Sequence, residues 1–348
     1  MKRGNRYGTH RVIEPKGVLP QPALKLDNNM DEIYDNEILC DVITLNVDSA
    51  SFTQIKEEAG GDVEKIKKIM LSIVERFGKH KNPVTGSGGM FIGRVNKIGE
   101  ALKGKIDLKT GDKIASLVSL SLTPLRIDKI KAVHIETDQV DIEGKAILFE
   151  SAIWAKLPAD MSEKLALAAL DVAGAPAQTA KLVKPGDYVL ILGGAGKSGL
   201  LCAYEAKKRA GIMGKVIGVT RSDEGIRTMK ECGFYDATIQ GSATEGVALL
   251  EKVEAATGGA LCDLVISNVN LPDCEMGAIL CCKEGGTVYF FSMATSFTKA
   301  ALGAEGIGKD VVMLIGNGYT KHHAEITLNI LRENKYLREV YEAKYARP

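Results

Sequence analysis

The chain lacks any apolar run approaching the roughly 20 residues of a membrane-spanning helix, and its first residues, Met1 to Arg6, are polar with no apolar stretch behind them. Neither an anchor nor a secretory leader is expected, which points to a soluble, cytoplasmic protein. It also lacks an excess charge of either sign. Its 45 basic and 44 acidic side chains create no field for nucleic acid or an anionic membrane surface. Cysteine is present seven times, an odd number with no C-x-x-C pair. That excludes a zinc-finger or disulfide framework and leaves reduced, mostly core cysteines. Histidine is scarce, at five residues, and His322 and His323 open a polar helical stretch that reads as solvated surface.

Glycine, by contrast, is abundant and informatively placed. The apolar run Tyr188 to Leu192 breaks into Gly193-Gly-Ala-Gly-Lys-Ser-Gly199, a helical pattern from Leu200 to Arg209 follows, and Gly214 to Thr220 is a second buried run. Read as G-x-G-x-x-G, Gly194 makes the tight turn, Gly196 lets the backbone approach a pyrophosphate, and Gly199 lets helix and strand pack closely. The helix start, with Lys197 and Ser198, offers free N–H groups to phosphates. Gly196-Lys197-Ser198 also resembles the end of a P-loop, but that loop needs a glycine where Ile191 stands. The second strand ends in Val219-Thr220-Arg221-Ser222, with nothing acidic before Asp223. An NAD site usually has Asp or Glu there for the ribose 2′-hydroxyl, whereas Arg221 suits a 2′-phosphate, so the cofactor is NADP or NAD. Stacking on adenine, or a solvent-facing side chain, is the other reading of Arg221.

Further apolar strands recur at Asp236 to Ile239, Cys262 to Ser267, Gly286 to Ser292 and Asp310 to Ile315. Strands alternating with helices predict a Rossmann doubly wound parallel sheet. In such a sheet ligands lie beyond the carboxyl ends of the strands, so Asn268, Val269, Ser292 and Met293 are expected to border the cofactor. The part before about Lys156 is β-rich instead, with strand patterns at Glu37 to Val47, Gly93 to Ile98 and Lys113 to Val118. Between them, Val63, Ile66, Met70, Ile73, Val74 and Phe77 share one face of an amphipathic helix within Gly60 to His80.

Three carboxylates fall in apolar contexts: Asp48 at the end of a strand, Glu150 after Ile147-Leu-Phe149, and Asp171 amid a Leu- and Ala-rich helix end. Each is a candidate catalytic group, because a buried carboxylate needs a cation or hydrogen-bond donors and desolvation raises its pKa towards that of a general base. Ser49, His10, Lys299 and Arg126 are candidate substrate contacts.

These features resemble the medium-chain dehydrogenase/reductase superfamily. The resemblance is carried by Asn82 to Gly86 with Gly93 to Gly99, by Leu108-Lys-Thr-Gly-Asp-Lys-Ile114, and by Val183-Lys-Pro-Gly186 ahead of the cofactor strand. It implies a GroES-like β-rich catalytic domain (1–160 and 320–348, with the 60–80 helix inserted) around a Rossmann domain (161–319), and a homodimer. Where zinc-dependent members read G-H-E this chain has Gly88-Gly89-Met90, and where they place a ligand cysteine it has Asp48. No metal is therefore expected.

Longer blocks are more specific: Tyr7 to Pro20, Asp48 to Gln54, Ala169 to Gln178 and Ser292 to Gly306. They are very similar to a zinc-free branch of that superfamily in bacterial lysine fermentation. The resemblance implies NAD(P)-dependent oxidative deamination of an amino-acid substrate, 3,5-diaminohexanoate, at C3. The C3 amine must be neutral before hydride leaves, so a base is needed, with Asp48 and Asp171 sharing proton transfer and ammonium recognition between them. A zinc-free quinone or enoyl reductase, or a non-catalytic nucleotide-binding protein, are the rival readings.

Overall fold

A computed structural model describes residues 2–292, 294–316 and 318–346. The chain divides into two units, Met1–Pro158 and Ala159–Pro348. Among the described residues no helix is long and apolar enough to cross a membrane.

In the first unit β1 (Val12–Glu14) pairs with β2 (Lys25–Leu26). The main antiparallel sheet contains β3 (Glu37–Val47), β4 (Gly89–Ile98), β5 (Lys113–Ser116), β6 (Leu125–His134), β7 (Gln139–Phe149) and β8 (Trp154–Lys156), in the order β6-β7-β3-β4-β5-β8. The inner face of this sheet, including Ile38, Cys40, Leu45, Phe91, Val140 and Ile142, forms the core. Two helices connect β3 to β4: α1 (Ser49–Glu58) and α2 (Val63–Phe77). The expected amphipathic helix is α2, and it buries Ile66, Met70, Ile73 and Val74. It starts at Asp62, whose carboxylate accepts from the N–H groups of Glu64 and Lys65 at 2.8 and 3.0 Å, and stops at Gly78 with φ 68°. A side chain at Gly78 would also place its Cβ 2.1 Å from the Leu26 carbonyl oxygen, so only glycine fits this helix end. Helix α1 was not expected. Asp48 follows β3 directly, as expected, and also caps α1, accepting from the N–H of Ala50.

The start of the chain is fastened to this unit by two buried cations. The Lys79 ammonium donates to the carbonyls of Pro20, Gln21 and Ala23 at 2.6, 3.2 and 2.6 Å, and burial pushes the amine down to about 7. Arg11 forks onto Glu37, Nε to Oε1 at 2.8 Å and Nη2 to Oε2 at 2.7 Å, and reaches the carbonyls of Asn29 and Glu32.

The second unit opens with α3 (Glu163–Leu170) and α4 (Gly174–Leu182). Alternating strands and helices follow: β9 (Tyr188–Leu192), α5 (Lys197–Ala210), β10 (Lys215–Thr220), α6 (Asp223–Cys232), β11 (Ala237–Gln240), α7 (Gly246–Thr257), β12 (Cys262–Ser267), α8 (Glu275–Cys281), β13 (Cys282–Phe290), α9 (Phe297–Gly306) and β14 (Val312–Ile315). Every pairing is parallel, in the order β11-β10-β9-β12-β13-β14. Counted within the unit that is 3-2-1-4-5-6, the dinucleotide-binding order, with its switch point between β9 and β12. Strands buried on both faces explain why Val189 to Leu192 and Leu264 to Ile266 read as unbroken apolar runs. All seven cysteines are free and buried.

Residues 320–346, expected to return to the first domain, group with the second unit instead. Helices α10 (His323–Glu333) and α11 (Lys335–Tyr345) pack on α3, α4 and α5 within the second unit. Their apolar stripe, Leu328, Leu331, Leu337 and Tyr341, is buried. Arg332 grips Asp160 with Nε and Nη2 at 2.8 and 3.1 Å. His323, expected at a solvated surface, is buried in this contact, and burial lowers its pKa.

Candidate active site

The glycine turn follows β9 as expected. Gly193 takes φ 77°, and the N–H groups of Gly193 and Gly194 both donate to the Val219 carbonyl at 3.0 Å. Helix α5 then starts at Lys197 from a Gly196 that offers no side-chain cap. A Cβ at Gly199 would lie 2.2 Å from the Gly193 oxygen, and one at Gly194 would meet Met229 and Tyr235 at 2.7 and 2.8 Å. Gly196 faces open space apart from the Gly193 oxygen at 3.2 Å. Two of the three motif glycines thus serve close packing and the third leaves an approach, the division of labour a pyrophosphate site needs. Ser198 is buried behind the turn. Tyr235, which the sequence did not single out, locks the turn from beneath by donating to the Gly194 carbonyl at 2.7 Å.

Beyond the carboxyl ends of β9, β10, β11 and β12 lies a cleft of about 220 Å³. Among its walls are Gly196, Thr220, Arg221, Asn268 and Val269, all expected there. Gly241, Ser242 and Ala243 were not expected, although they follow β11 just as Arg221 follows β10. Ser222 caps α6, its hydroxyl accepting from Gly225 at 3.0 Å. The Arg221 guanidinium makes no hydrogen bond or ion pair among the described residues. Asn268 has both side-chain polar atoms buried without a partner. An orphaned buried amide is costly, and in the wall of such a cleft its missing partner is naturally a ligand. Ser292 lies at the neighbouring strand end, its N–H donating to the Ser267 carbonyl at 3.3 Å. Met293 lies outside the described residues. The glycine packing, the free Arg221 and the orphaned Asn268 all fit a dinucleotide.

Asp171 is not the buried carboxylate its sequence context suggested. It is exposed at the end of α3 and paired with Lys197, Nζ to Oδ2 at 2.7 Å. Leu165 to Leu170 are buried, and the helix end turns Asp171 outward. Lys299 is likewise exposed. It pairs with Asp273 and does not line the dinucleotide cleft.

In the first unit the expected residues separate into two groups. Asp48 and Ser49 sit at one end of β3, while His10 and Glu150 sit at the other, beside Glu37 and Phe149. An eleven-residue strand puts roughly 30 Å between the ends at about 3.3 Å per residue. His10 accepts at Nδ1 from the N–H of Asn5 at 2.9 Å, which leaves Nε2 to donate to Glu37 at 2.7 Å. Glu150 is half-buried and accepts from Asn36 at 3.0 Å. Both fasten the N-terminal segment. Arg126 is half-buried, with Asp128 at 3.0 Å and Asp31 at 3.7 Å. These placements give His10, Glu150 and Arg126 structural partners and do not bring them to Asp48.

Around Asp48 the structure gathers groups the sequence left apart. Asp48 Oδ1 accepts from Ala50 N–H and from the Ser87 hydroxyl, both at 3.1 Å. Oδ2 accepts no hydrogen bond among the described residues, and this side chain is exposed too. The Ser49 hydroxyl donates to Asp138 at 2.6 Å. Asp138, in the β6–β7 turn with φ 54°, is a second carboxylate that sequence spacing could not place. Gly89 begins β4 against Asp48, where a Cβ would lie 2.7 Å from the Asp48 nitrogen. Asp48 and Gly89, the positions compared above with a cysteine and a histidine of the zinc-dependent pattern, are therefore adjacent here. No group of three or more His, Cys, Asp or Glu side chains suited to a metal occurs among the described residues.

Comparison with known proteins places the chain in a family. Residues 10–158 match the family model described as the L-erythro-3,5-diaminohexanoate dehydrogenase N-terminal domain. Over the whole chain, 65% of 343 residues are identical to an L-erythro-3,5-diaminohexanoate dehydrogenase of Acetoanaerobium sticklandii, covering 99% of each protein. A protein of the same name from Fusobacterium nucleatum is 61% identical over 345 residues, covering 99% of this chain and 100% of that one. Among solved structures, a mycobacterial quinone oxidoreductase superposes with a TM-score of 0.53 at 16% identity, covering 89% of this chain and 88% of its own. That likeness speaks for the two-domain fold alone.

Proposed function

The chain belongs to the L-erythro-3,5-diaminohexanoate dehydrogenase family, and from that premise we propose that it oxidises (3S,5S)-3,5-diaminohexanoate at C3 with NADP or NAD. The products are 5-amino-3-oxohexanoate and ammonia, and the reaction, a step of lysine fermentation, runs without a metal ion. The observation that carries this reading is the Asp48 carboxylate, with one oxygen anchored to the α1 backbone and Ser87 and the other open.

A nicotinamide supplies the hydride acceptor when bound. The Gly193–Gly199 turn, Asn268 and Arg221 would hold the dinucleotide. Asp48 takes the proton from the C3 ammonium, because a nitrogen without its lone pair cannot stabilise the iminium that forms as hydride leaves. The same carboxylate then assists water in adding to that iminium, and collapse of the carbinolamine expels ammonia. The carboxylate in the vacant cysteine position supports metal-free chemistry, since no imidazole or thiolate accompanies it. The pairing with Lys197 favours Asp48 over Asp171 as the base and assigns Asp171 to positioning Lys197 beside the glycine turn. An enoyl or quinone reductase calls for an apolar pocket, not the carboxylates and hydroxyls grouped here.

Reduction of NAD and NADP in the presence of 3,5-diaminohexanoate tests the proposal, and absence of reduction with both cofactors contradicts it. Arg221→Ala is expected to weaken NADP binding by about tenfold or more while sparing NAD, because charge-assisted hydrogen bonds to a phosphate are each worth about 1.5–3 kcal/mol. Equal losses in titrations with the two cofactors would remove Arg221 from 2′-phosphate recognition.

A further inference from the structure

The turn between α2 and β4 brings three hydroxyls onto Asp48 in a continuous chain. Asp48 Oδ1 is 3.1 Å from Ser87 Oγ. Ser87 Oγ is 2.6 Å from Ser51 Oγ, Ser51 Oγ is 2.6 Å from Thr85 Oγ1, and Thr85 Oγ1 is also 3.1 Å from Ser87 Oγ, so the three hydroxyls close a triangle. Ser51 is fully buried on the first turn of α1, Ser87 is half-buried, and Thr85 is exposed. The hydroxyls thus lead from the carboxylate to solvent at Thr85, through Ser51 or directly from Ser87.

Asn82, itself fully buried, builds this arrangement. Its Oδ1 accepts from the N–H groups of Val84 and Thr85 at 2.8 and 3.2 Å, which fixes the turn. Its Nδ2 donates to the Ser51 carbonyl at 3.3 Å and to Gln54 at 2.7 Å, which fastens the turn to α1. A second pair of backbone bonds, Asn82 N–H to Ser87 carbonyl at 3.0 Å and Gly86 N–H to Asn82 carbonyl at 2.9 Å, closes the loop. Four bonds from one buried amide hold the hydroxyls at relay distance.

We propose that Ser87, Ser51 and Thr85 form a proton exit from Asp48. This rests on the reading of Asp48 as the base. Each turnover loads Asp48 with a proton that it must lose before the next, and a substrate seated on the open Oδ2 blocks direct loss to water. The chain offers the other route. Rotation of the carboxyl group exchanges its two oxygens and brings the proton taken on Oδ2 to Ser87 Oγ; Asp48 gives it to Ser87, Ser87 passes its own to Thr85, through Ser51 or directly, and Thr85 passes its own to water. Each hydroxyl gains one proton and loses one, no bond to carbon changes, and rotation of the three O–H groups restores the starting state. The hydroxyls touch no substrate in this scheme; they relay and position.

Thr85→Val removes the exposed end of the chain, and Ser51→Ala removes its shorter buried branch while leaving the 3.1 Å Ser87–Thr85 contact. Thr85→Val is expected to lower kcat with 3,5-diaminohexanoate by about tenfold to a hundredfold, towards the lower range of proton-transfer effects, and Ser51→Ala by a smaller factor, with KM for the dinucleotide unchanged in both. Added imidazole is expected to restore kcat in proportion to its concentration in the variants and to leave the unaltered protein unaffected. A purely structural role would show no such rescue. Wild-type kcat in Thr85→Val, or a loss that imidazole does not restore, would overturn the relay. Should Ser51→Ala not fold, Thr85→Val decides, since its side chain stands at the surface. If the unaltered protein fails to oxidise the diamino acid at all, it is the underlying reading of Asp48 that falls.

Discussion

Asp48→Asn is expected to lower turnover of 3,5-diaminohexanoate by about 10²- to 10⁴-fold, the range of a lost general base, while dinucleotide affinity and melting temperature stay close to those of the unaltered protein. Asparagine is the substitution that isolates the charge. Asn and Asp are equivalent N-caps, so the α1 bond from Ala50 survives. The amide oxygen still accepts from Ser87. Only the ability to take a proton from an ammonium is lost. Steady-state kinetics beside a dinucleotide titration check this, and turnover within about threefold of the original would remove Asp48 from proton transfer.

Glu37→Ala is expected to cost about 3–5 kcal/mol of stability, the range for removing one partner of a buried ion pair. Arg11 and Glu37 are both buried, at 1% and 0% exposure. Truncation leaves the guanidinium with backbone carbonyls and only the half-exposed Asp27, at 3.4 Å, as counter-charge, and also strands the His10 Nε2–H. Burial pushes the Glu37 carboxyl up, but hydrogen bonds from Arg11 and His10 and the Arg11 charge outweigh it, so the folded pKa is lowered. A lowered folded value means that the contribution is fully present above the unfolded glutamate pKa of about 4.3. It is lost as pH falls from there through the folded value. Denaturant titrations at neutral pH should therefore show the full difference between the two proteins, and titrations near pH 3 a smaller one. A loss below about 1 kcal/mol at neutral pH would contradict the account of this pair.

The second unit was the more legible half of the sequence because its signals are local. An apolar strand, a glycine turn and a helix within some thirty residues constrain one another, and β9, α3 and β12 fall where the patterns put them. The order of the strands also follows from right-handed crossovers once their parallel character is read. The first unit hid more. The β6–β7 hairpin carries charged residues such as Asp128, Lys129, Lys131 and Glu143 on its exposed face, which blurs the alternation that marks a strand. Helix α1 follows β3 directly and has only a weakly amphipathic pattern.

The site was legible by residue type and not by pairing. Asp48 stood out as a departure from the zinc-binding pattern, but its hydroxyl partner is Ser87, and the groups next in line, Ser51 on Ser87 and Asp138 on Ser49, lie up to 90 residues from it along the chain. Spacing in sequence carries no trace of such contacts; only the antiparallel register of β3 against β4 and β7 creates them. The argument from apolar neighbours failed for Asp171 because a helix end can turn one side chain outward from an otherwise buried run. Glu150, chosen by the same argument, and His10, chosen from the N-terminal segment, lie beside Phe149 and Glu37 at the opposite end of β3 from Asp48.

The most direct test of the central claim uses 3,5-diaminohexanoate carrying deuterium at C3. The account predicts one deuteron transferred to the nicotinamide for each ammonia released, with 5-amino-3-oxohexanoate as the carbon product. Reduced cofactor without deuterium, or deuterium transfer without ammonia, would contradict oxidation of the C3 amine.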